Sequence, residues 1–391
     1  MSEPADNSSD EYAARALLPE GFRDELPEDA ERSATVMRQL LDGFSGHGYE
    51  RIAPPLIEFE DSLFQGIGRQ RADTSFRLMD PLSHRMLALR PDMTVQVARM
   101  ATTRLAGAAR PLRLCYGGQV VRTQGSQVRP CRQFPQAGLE LIGGPAEEAN
   151  LEIIAIAREV MAGIGIDGLS VDLTYPALVP CLTRALGLAE EEAAAAREAL
   201  GAKDFAALGA FRGEAGDLLR GILGASGPAE RAFEVLASLE LPDEAREMAD
   251  EMQRLGERLK QDVAGIALTV DPGDYRGFEY KSGIGFALFA EGIASELGRG
   301  GRYEIEHPDG KLEPASGFSV YLDSLAGASN REPADDKLYL PFEIEAGQAA
   351  RYREGGWRTV RGLEPATSPR EEAKRLGCGH YVEGSKIRTT E

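Results

Sequence analysis

Two stretches form the clearest pattern in the chain: Leu112–Arg122, which alternates in polarity, and Gln133–Ile142, in which Gln133, Gln136 and Glu140 are polar among apolar neighbours. Alternation with a period of two is typical of β-strands, and two adjacent valines strengthen the first stretch. The loop between them, Thr123–Pro130, is polar and holds a single arginine. The pattern therefore predicts a long antiparallel hairpin that stops at the pair Gly143-Gly144.

Helical spacing of apolar residues marks the segments on either side of this hairpin. It predicts a helix over Glu28–Ser45 that buries Met37, Leu41 and Phe44, and a second helix over Ala146–Met161. Short apolar runs predict further strands at 49–54, 75–79, 85–90, 169–173, 266–270 and 284–289.

Shifts in composition predict how the chain is divided. Residues 1–14 are polar and acidic, which predicts a disordered lead-in. Residues 15–328 form the predicted core, and within it residues 180–260 become rich in Ala, Glu, Leu and Arg, which predicts a helical insertion. Strand and helix patterns alternate over 335–391, which predicts a short α/β domain.

Charge and cysteine usage narrow the classes of function. The 391 residues include 63 Asp and Glu against 44 Lys and Arg, a net charge of −19, which lowers the expectation of tRNA binding. No apolar run reaches the roughly 18 residues that span a bilayer, and the N-terminus is unlike a secretory signal, so we expect a cytoplasmic protein that does not enter membranes. The scattered cysteines and histidines predict no disulfide, metal or cofactor.

Polar side chains on the predicted hairpin suggest its chemistry. Arg122 ends the first strand, and Gln136 and Glu140 interrupt the apolar second strand. A guanidinium can bind a carboxylate and a Glu can bind an ammonium, so this hairpin could hold a small zwitterion. The alternative is an ordinary hairpin with one solvated face. Asp92 has an alternative as well, because it precedes a predicted helix and could be its N-cap.

The segment Arg132–Gly143 reads R-Q-F-P-Q-A-G-L-E-L-I-G. It resembles motif 2 of the class II aminoacyl-tRNA synthetases, most closely that of the histidyl enzymes. The resemblance implies an α+β fold, with a mostly antiparallel sheet flanked by helices, a helical insertion, and a C-terminal piece similar to a shortened anticodon-binding domain. The first helix and the strand after it resemble motif 1, which implies a homodimer.

Two further segments resemble histidyl-specific motifs. Residues 90–94 read R-P-D-M-T, and the resemblance implies that Asp92 and Thr94 contact the ammonium of histidine, although the family has a Glu in place of Asp92. Residues 275–283 read Y-R-G-F-E-Y-K-S-G, and the resemblance implies that Arg276 lies near the histidine carboxylate and Tyr280 near the imidazole.

Motif 3 departs from the synthetase pattern. Residues 314–324 align with it without a gap, but Ser324 occupies the position of the arginine that binds the γ-phosphate of ATP, and bulky Tyr321 replaces a glycine. The acid that helps to hold ATP in motif 2 is Gln124 here. One such charge contact is typically worth about 10²–10³ in rate. We therefore expect no adenylation activity and no catalysis.

This pattern of losses resembles one branch of the family, the regulatory subunits of ATP phosphoribosyltransferase. That resemblance implies a short-form catalytic subunit as partner, homodimers within a hetero-oligomer, activation of the partner, and histidine as a feedback ligand held by Asp92, Thr94, Arg122, Gln136, Glu140, Arg276 and Tyr280. Three alternatives stay open: an active histidyl-tRNA synthetase, a synthetase-like amino-acid ligase, and a histidine sensor without a catalytic partner.

Overall fold

A computed structural model describes residues 17–125, 129–275, 281–326 and 337–390, with Gln70, Arg71 and Lys281 described by backbone alone. The chain divides into two compact units, Met1–Asn330 and Arg331–Glu391. Over the ranges described here, no helix has the length and apolar character needed to cross a membrane.

The strands, in chain order, are β1 Glu50–Arg51, β2 Ile57–Phe59, β3 Arg77–Met79, β4 Met86–Leu89, β5 Leu112–Val121, β6 Gln133–Ile142, β7 Leu169–Thr174, β8 Gly227–Pro228, β9 Ala267–Val270, β10 Lys281–Ala290, β11 Gly298–Glu306, β12 Leu312–Tyr321, β13 Lys337–Leu340, β14 Arg358–Arg361, β15 His380–Glu383 and β16 Lys386–Thr389.

The helices are α1 Pro27–Gly46, α2 Glu60–Leu63, α3 Thr94–Thr102, α4 Ala146–Gly163, α5 Leu178–Ala185, α6 Glu190–Gly201, α7 Phe205–Leu208, α8 Gly213–Gly224, α9 Ala229–Ser238, α10 Asp243–Asp262, α11 Leu322–Ala326, α12 Ala346–Glu354 and α13 Pro369–Arg375, and a 3₁₀ helix covers Gly66–Thr74.

The first unit is organised around a sheet in the order β1-β5-β6-β12-β11-β10-β7-β9-β8. Only the β1–β5 and β7–β9 pairings among these strands are parallel, so the sheet is mostly antiparallel, as the fold-class prediction requires. The predicted hairpin is present as β5 and β6, paired from Leu112 with Ile142 to Val121 with Gln133. A smaller sheet has the order β2-β4-β3.

Each face of the central sheet is covered by helices. On one face, Phe44 of α1 makes an edge-to-face contact with Phe318 of β12 at 5.7 Å between ring centroids. The same hydrophobic cluster includes residues of α4 and of the helices between 178 and 262, so the helical insertion buries its apolar stripes against the sheet. On the other face, α3 packs Met93 and Val97 against Tyr116 and Tyr303.

The second unit is a four-stranded α/β sheet in the order β14-β13-β15-β16. Residues of α12 cover one face with Leu338 and Leu340, and residues of α13 cover the other with Tyr339 and Tyr381. Its last strand, β16, closes a hairpin with β15 that the sequence pattern did not predict.

Local differences from the sequence expectations have simple causes. The strand predicted at 49–54 shrinks to β1, because Pro54 and Pro55 have no N–H to offer a sheet. Neither β2 nor the 3₁₀ helix at Gly66–Thr74 was predicted, since both are short and lack a clear period.

Candidate functional site

Four of the predicted site residues meet in a buried cluster of polar side chains between α3 and β6, named here the acidic pocket. Asp92 and Thr94 lie at the start of α3. Gln136 and Glu140 are four residues apart on β6, so their side chains lie on the same face of the sheet. Gln136 and Glu140 are 0% and 1% exposed, so the alternative of a solvated hairpin face is wrong. Buried polar side chains of this kind need hydrogen-bond partners, and the pocket supplies them.

Asp92 and Gln136 hold each other and the start of α3. Asp92 Oδ1 accepts the backbone N–H of Thr94 at 2.8 Å, which is a helix-start contact, although the capping position itself is Met93. Asp92 Oδ2 accepts Gln136 Nε2 at 3.3 Å, and Gln136 Oε1 accepts the N–H of Met93 at 3.0 Å. Asp92 therefore supports the start of α3 and also contacts Gln136, a second predicted site residue.

Glu140 is the centre of a second group of contacts. Tyr116 donates its hydroxyl to Oε1 at 3.0 Å, and Tyr303 donates its hydroxyl to Oε2 at 2.8 Å. The Tyr116 hydroxyl also lies 3.2 Å from Thr94 Oγ1 and 2.8 Å from Ser319 Oγ. Glu140 is thus connected through the Tyr116 hydroxyl to Thr94, whose backbone N–H is bound by Asp92.

Glycines make room for these side chains. A Cβ added at Gly317 would lie 1.8 Å from Glu140 Oε2, and one added at Gly138 would lie 2.5 Å from the Tyr116 hydroxyl. Both glycines lie opposite the residue they accommodate, since Gly317 pairs with Glu140 and Gly138 pairs with Tyr116 in the sheet. The pocket is thus built by strand register as well as by its polar residues.

Electrostatics keep the Tyr116 hydroxyl protonated beside the two acids. Burial, reinforced by the negative charges of Glu140 and Asp92, raises the pKa of Tyr116 well above its ordinary value, so its hydroxyl stays protonated and can donate.

Arg122 lies beside the pocket, just past the end of β5. Its Nε donates to the carbonyl of Pro91, the residue before Asp92, at 3.2 Å. Its guanidinium also lies 5.1 Å from the centre of the Phe134 ring. Arg276 and Tyr280 fall outside the described residues.

None of the three hydroxyl residues Tyr116, Ser319 and Tyr303 was singled out by the sequence analysis. All three are uncharged residues on strands, and their role depends on which strands are neighbours. Tyr116 could have been found as a buried hydroxyl on the predicted hairpin, because such a group needs a partner. Ser319 and Tyr303 carry no comparable signal.

The motif 3 end of the sheet is occupied by the protein's own side chains. Tyr321 makes an edge-to-face contact with Phe134 at 5.7 Å. Arg129 stacks over Tyr321 with 3.9 Å from its guanidinium carbon to the ring centroid, and it donates to Ser324 Oγ at 3.1 Å. The resemblance to motif 3 aligns Ser324 with the family's phosphate-binding arginine. In this structure the Ser324 hydroxyl accepts a hydrogen bond from Arg129.

A mostly antiparallel sheet with a buried acidic pocket on its motif 2 strand defines a class II core of the histidyl-tRNA synthetase type. The sequence model of the family described as Histidyl-tRNA synthetase matches residues 21–325. The ATP phosphoribosyltransferase regulatory subunit of Rhodospirillum centenum is 47% identical over 372 residues, which cover 95% of this chain and 96% of that protein. The same subunit of Paramagnetospirillum magneticum is 46% identical, with 95% and 97% covered. The chain belongs to the family of ATP phosphoribosyltransferase regulatory subunits.

Solved structures agree with this assignment. A Bacillus halodurans protein described as an ATP phosphoribosyltransferase regulatory subunit/histidyl-tRNA synthetase superimposes with a TM-score of 0.78 and 25% identity, covering 96% of this chain and 97% of that one. Histidyl-tRNA synthetase from Nostoc sp. PCC 7120 superimposes with a TM-score of 0.76 over 94% of this chain and 91% of that one, and at 18% identity it supports the fold alone.

Proposed function

We propose that this chain is a non-catalytic regulatory subunit of ATP phosphoribosyltransferase in histidine biosynthesis, and that it binds histidine in the pocket between α3 and β6. The observation that carries the proposal is the contrast between the two ends of the site. The acidic pocket around Glu140 is buried and keeps its acids, whereas Arg129 and Tyr321 occupy the motif 3 end. The names of the relatives support the regulatory role.

The pocket provides groups suited to the ammonium of an amino acid. Asp92 and Glu140 provide negative charge, and Gln136 and Thr94 provide further hydrogen-bonding groups at the same place. Ammonium–carboxylate hydrogen bonds in a dry pocket are among the stronger polar contacts. Because metabolite-range affinity needs only about 5–8 kcal/mol, a few such bonds are enough.

The other parts of histidine need separate contacts. Arg122, beside Pro91, is proposed to attract the carboxylate together with Arg276. Tyr280 is proposed to lie near the imidazole. These last two assignments rest on the resemblance of residues 275–283 to the histidyl motif.

Loss of adenylation follows from the chemistry at positions 321 and 324. A triphosphate needs cations at its terminal phosphate, and Ser324 supplies none. The arginine beside it, Arg129, is already paired with Asp323 at 3.1 Å, so its charge is neutralised by the protein itself. We therefore propose that the chain performs no catalysis, and the net charge of −19 supports the further proposal that it binds no tRNA.

Regulation would then act through assembly. We propose that homodimers of this chain assemble with short-form catalytic subunits in the cytoplasm, activate them, and pass on histidine inhibition. For that, histidine must bind one state of the complex more tightly than another, and a coupling of about 1–3 kcal/mol would be sufficient.

The test is the rate of a short-form catalytic subunit with ATP and phosphoribosyl pyrophosphate, measured with and without this chain. We expect activity to require both proteins and to fall when histidine is added. An unchanged rate would refute the proposal. ATP–pyrophosphate exchange with histidine is the companion assay, since measurable exchange would favour an active synthetase or ligase instead.

A further inference from the structure

Arg129 joins three separate parts of the first unit. Besides its stacking on Tyr321 and its bond to Ser324, it donates to the backbone carbonyl of Glu296 at 3.0 Å. Its Nε lies 3.1 Å from Asp323 Oδ2, and the two side chains are only 14% and 11% exposed. An ion pair this well shielded from water is screened little by salt, and its geometry is fixed by several contacts at once.

The clasp, defined as Arg129 with Tyr321, Asp323 and Ser324, is continuous with the acidic pocket. Tyr321 lies directly opposite Gln136 in the β6–β12 pairing. The ring of Tyr321 packs on Phe134, two residues before Gln136 on the same strand.

A second arginine, Arg122, connects the same two aromatic rings with the residue before Asp92. Arg122 lies 5.1 Å from the Phe134 ring and 6.0 Å from the Tyr321 ring, so Phe134 and Tyr321 contact guanidinium groups from both Arg122 and Arg129. Arg122 also donates to the carbonyl of Pro91, which precedes Asp92. A shift of Tyr321 would therefore be felt at both Gln136 and Asp92, because packed side chains move together.

We propose that Arg129 is a positioning residue that takes the place of a nucleotide. Its guanidinium, stacked on Tyr321 and paired with Asp323, fixes the end of β12 and the contact between Phe134 and Tyr321. These two rings in turn fix the positions of Gln136 and Asp92, which are proposed to bind an ammonium. This inference rests on the proposed binding of histidine in that pocket. Its consequence is that histidine affinity does not depend on ATP.

The experiment is calorimetric titration of the full-length chain with histidine, with and without millimolar ATP. We expect the wild-type chain to bind with the same Kd in both cases. Arg129→Ala should weaken binding by about 3- to 30-fold, the usual range for a residue that acts through its neighbours. Arg132→Ala is the matched control, because Arg132 also lies 5.0 and 4.9 Å from two aromatic rings, but those belong to Phe22 and Phe76.

Added guanidinium ion at low millimolar concentration separates positioning from general loss of structure. It should restore part of the affinity of Arg129→Ala and none of any affinity lost in Arg132→Ala. The inference is overturned if Arg129→Ala binds like wild type, if both variants weaken binding equally, or if ATP changes the wild-type Kd. Where Arg129→Ala does not fold, Asp323→Asn replaces it, with a several-fold loss expected and an unchanged Kd contradicting the inference. Absence of binding by the wild-type chain would instead refute the proposed function.

Discussion

Glu140→Gln is the sharpest test of the pocket, because it removes a charge and keeps the shape. The amide oxygen can still accept the hydroxyl of Tyr303, as the carboxylate does at 2.8 Å. The amide nitrogen would face the hydroxyl of Tyr116, which can turn its proton toward Ser319, 2.8 Å away. The contacts with these two tyrosines can therefore be kept in the variant, and we expect it to fold.

The expected loss concerns the ligand. A hydrogen bond between a charged donor and a charged acceptor contributes about 1.5–3 kcal/mol, and Glu140 is 1% exposed, so water cannot replace it. Since each 1.4 kcal/mol is tenfold in affinity, histidine should bind the variant about 10- to 150-fold more weakly.

Calorimetric titration with histidine measures this directly, and Glu152→Gln is the matched control. Glu152 on α4, like Glu140, accepts a tyrosine hydroxyl, that of Tyr49 at 2.9 Å, and in addition it pairs with Arg113 at 2.8 Å. It packs on the other face of the sheet, so its loss should leave the Kd for histidine unchanged. The reasoning is refuted if Glu140→Gln binds histidine as tightly as wild type, or if the two variants lose affinity equally.

Three more predictions follow from other residues. Tyr116→Phe should weaken histidine binding by about tenfold, since Glu140 loses a donor and Thr94 a partner, and the same titration would show it. Gly317→Ala places a Cβ against Glu140 and should lower the free energy of unfolding by about 1–3 kcal/mol in urea titrations, whereas Gly163→Ala, whose Cβ meets no atom within 4 Å, should not. Burial raises the pKa of Asp172 to about 6, so the folded state keeps a proton that the unfolded chain loses near pH 4, and stability falls as the pH rises between these values. Asp172→Asn should therefore stabilise the protein by roughly 1–3 kcal/mol at pH 7 and not below pH 4, as urea unfolding at both pH values would reveal.

The sequence predicted those parts of the fold and site that depend on local periodicity. The strand Gln133–Ile142 was predicted with the bounds it has, because its apolar run is long and its ends are marked. Its two polar positions, Gln136 and Glu140, could be recognised as unusual in a strand otherwise so apolar.

Contacts between distant strands were not predictable in the same way. The proximity of Tyr303 to Glu140 depends on the position of β12 between β6 and β11, which no local pattern encodes. Arg129 was visible only as the one arginine of a polar loop, and its partners Asp323 and Ser324 lie far along the chain. The resemblance to motif 3 predicts that Ser324 replaces the family's phosphate-binding arginine, but it does not predict that Arg129, from another loop, contacts this serine.

The burial of Asp92 and Glu140 has a thermodynamic cost that bears on function. A carboxylate removed from water loses several kcal/mol of solvation, and hydroxyl and amide donors offset only part of this. Under the proposed function, a ligand that brings a positive charge offsets more of it, so histidine, bound by the folded chain alone, should raise the free energy of unfolding. At a histidine concentration of 100 times Kd the increase should be about 2.7 kcal/mol. A protein with this linkage is suited to report the concentration of an amino acid without consuming it.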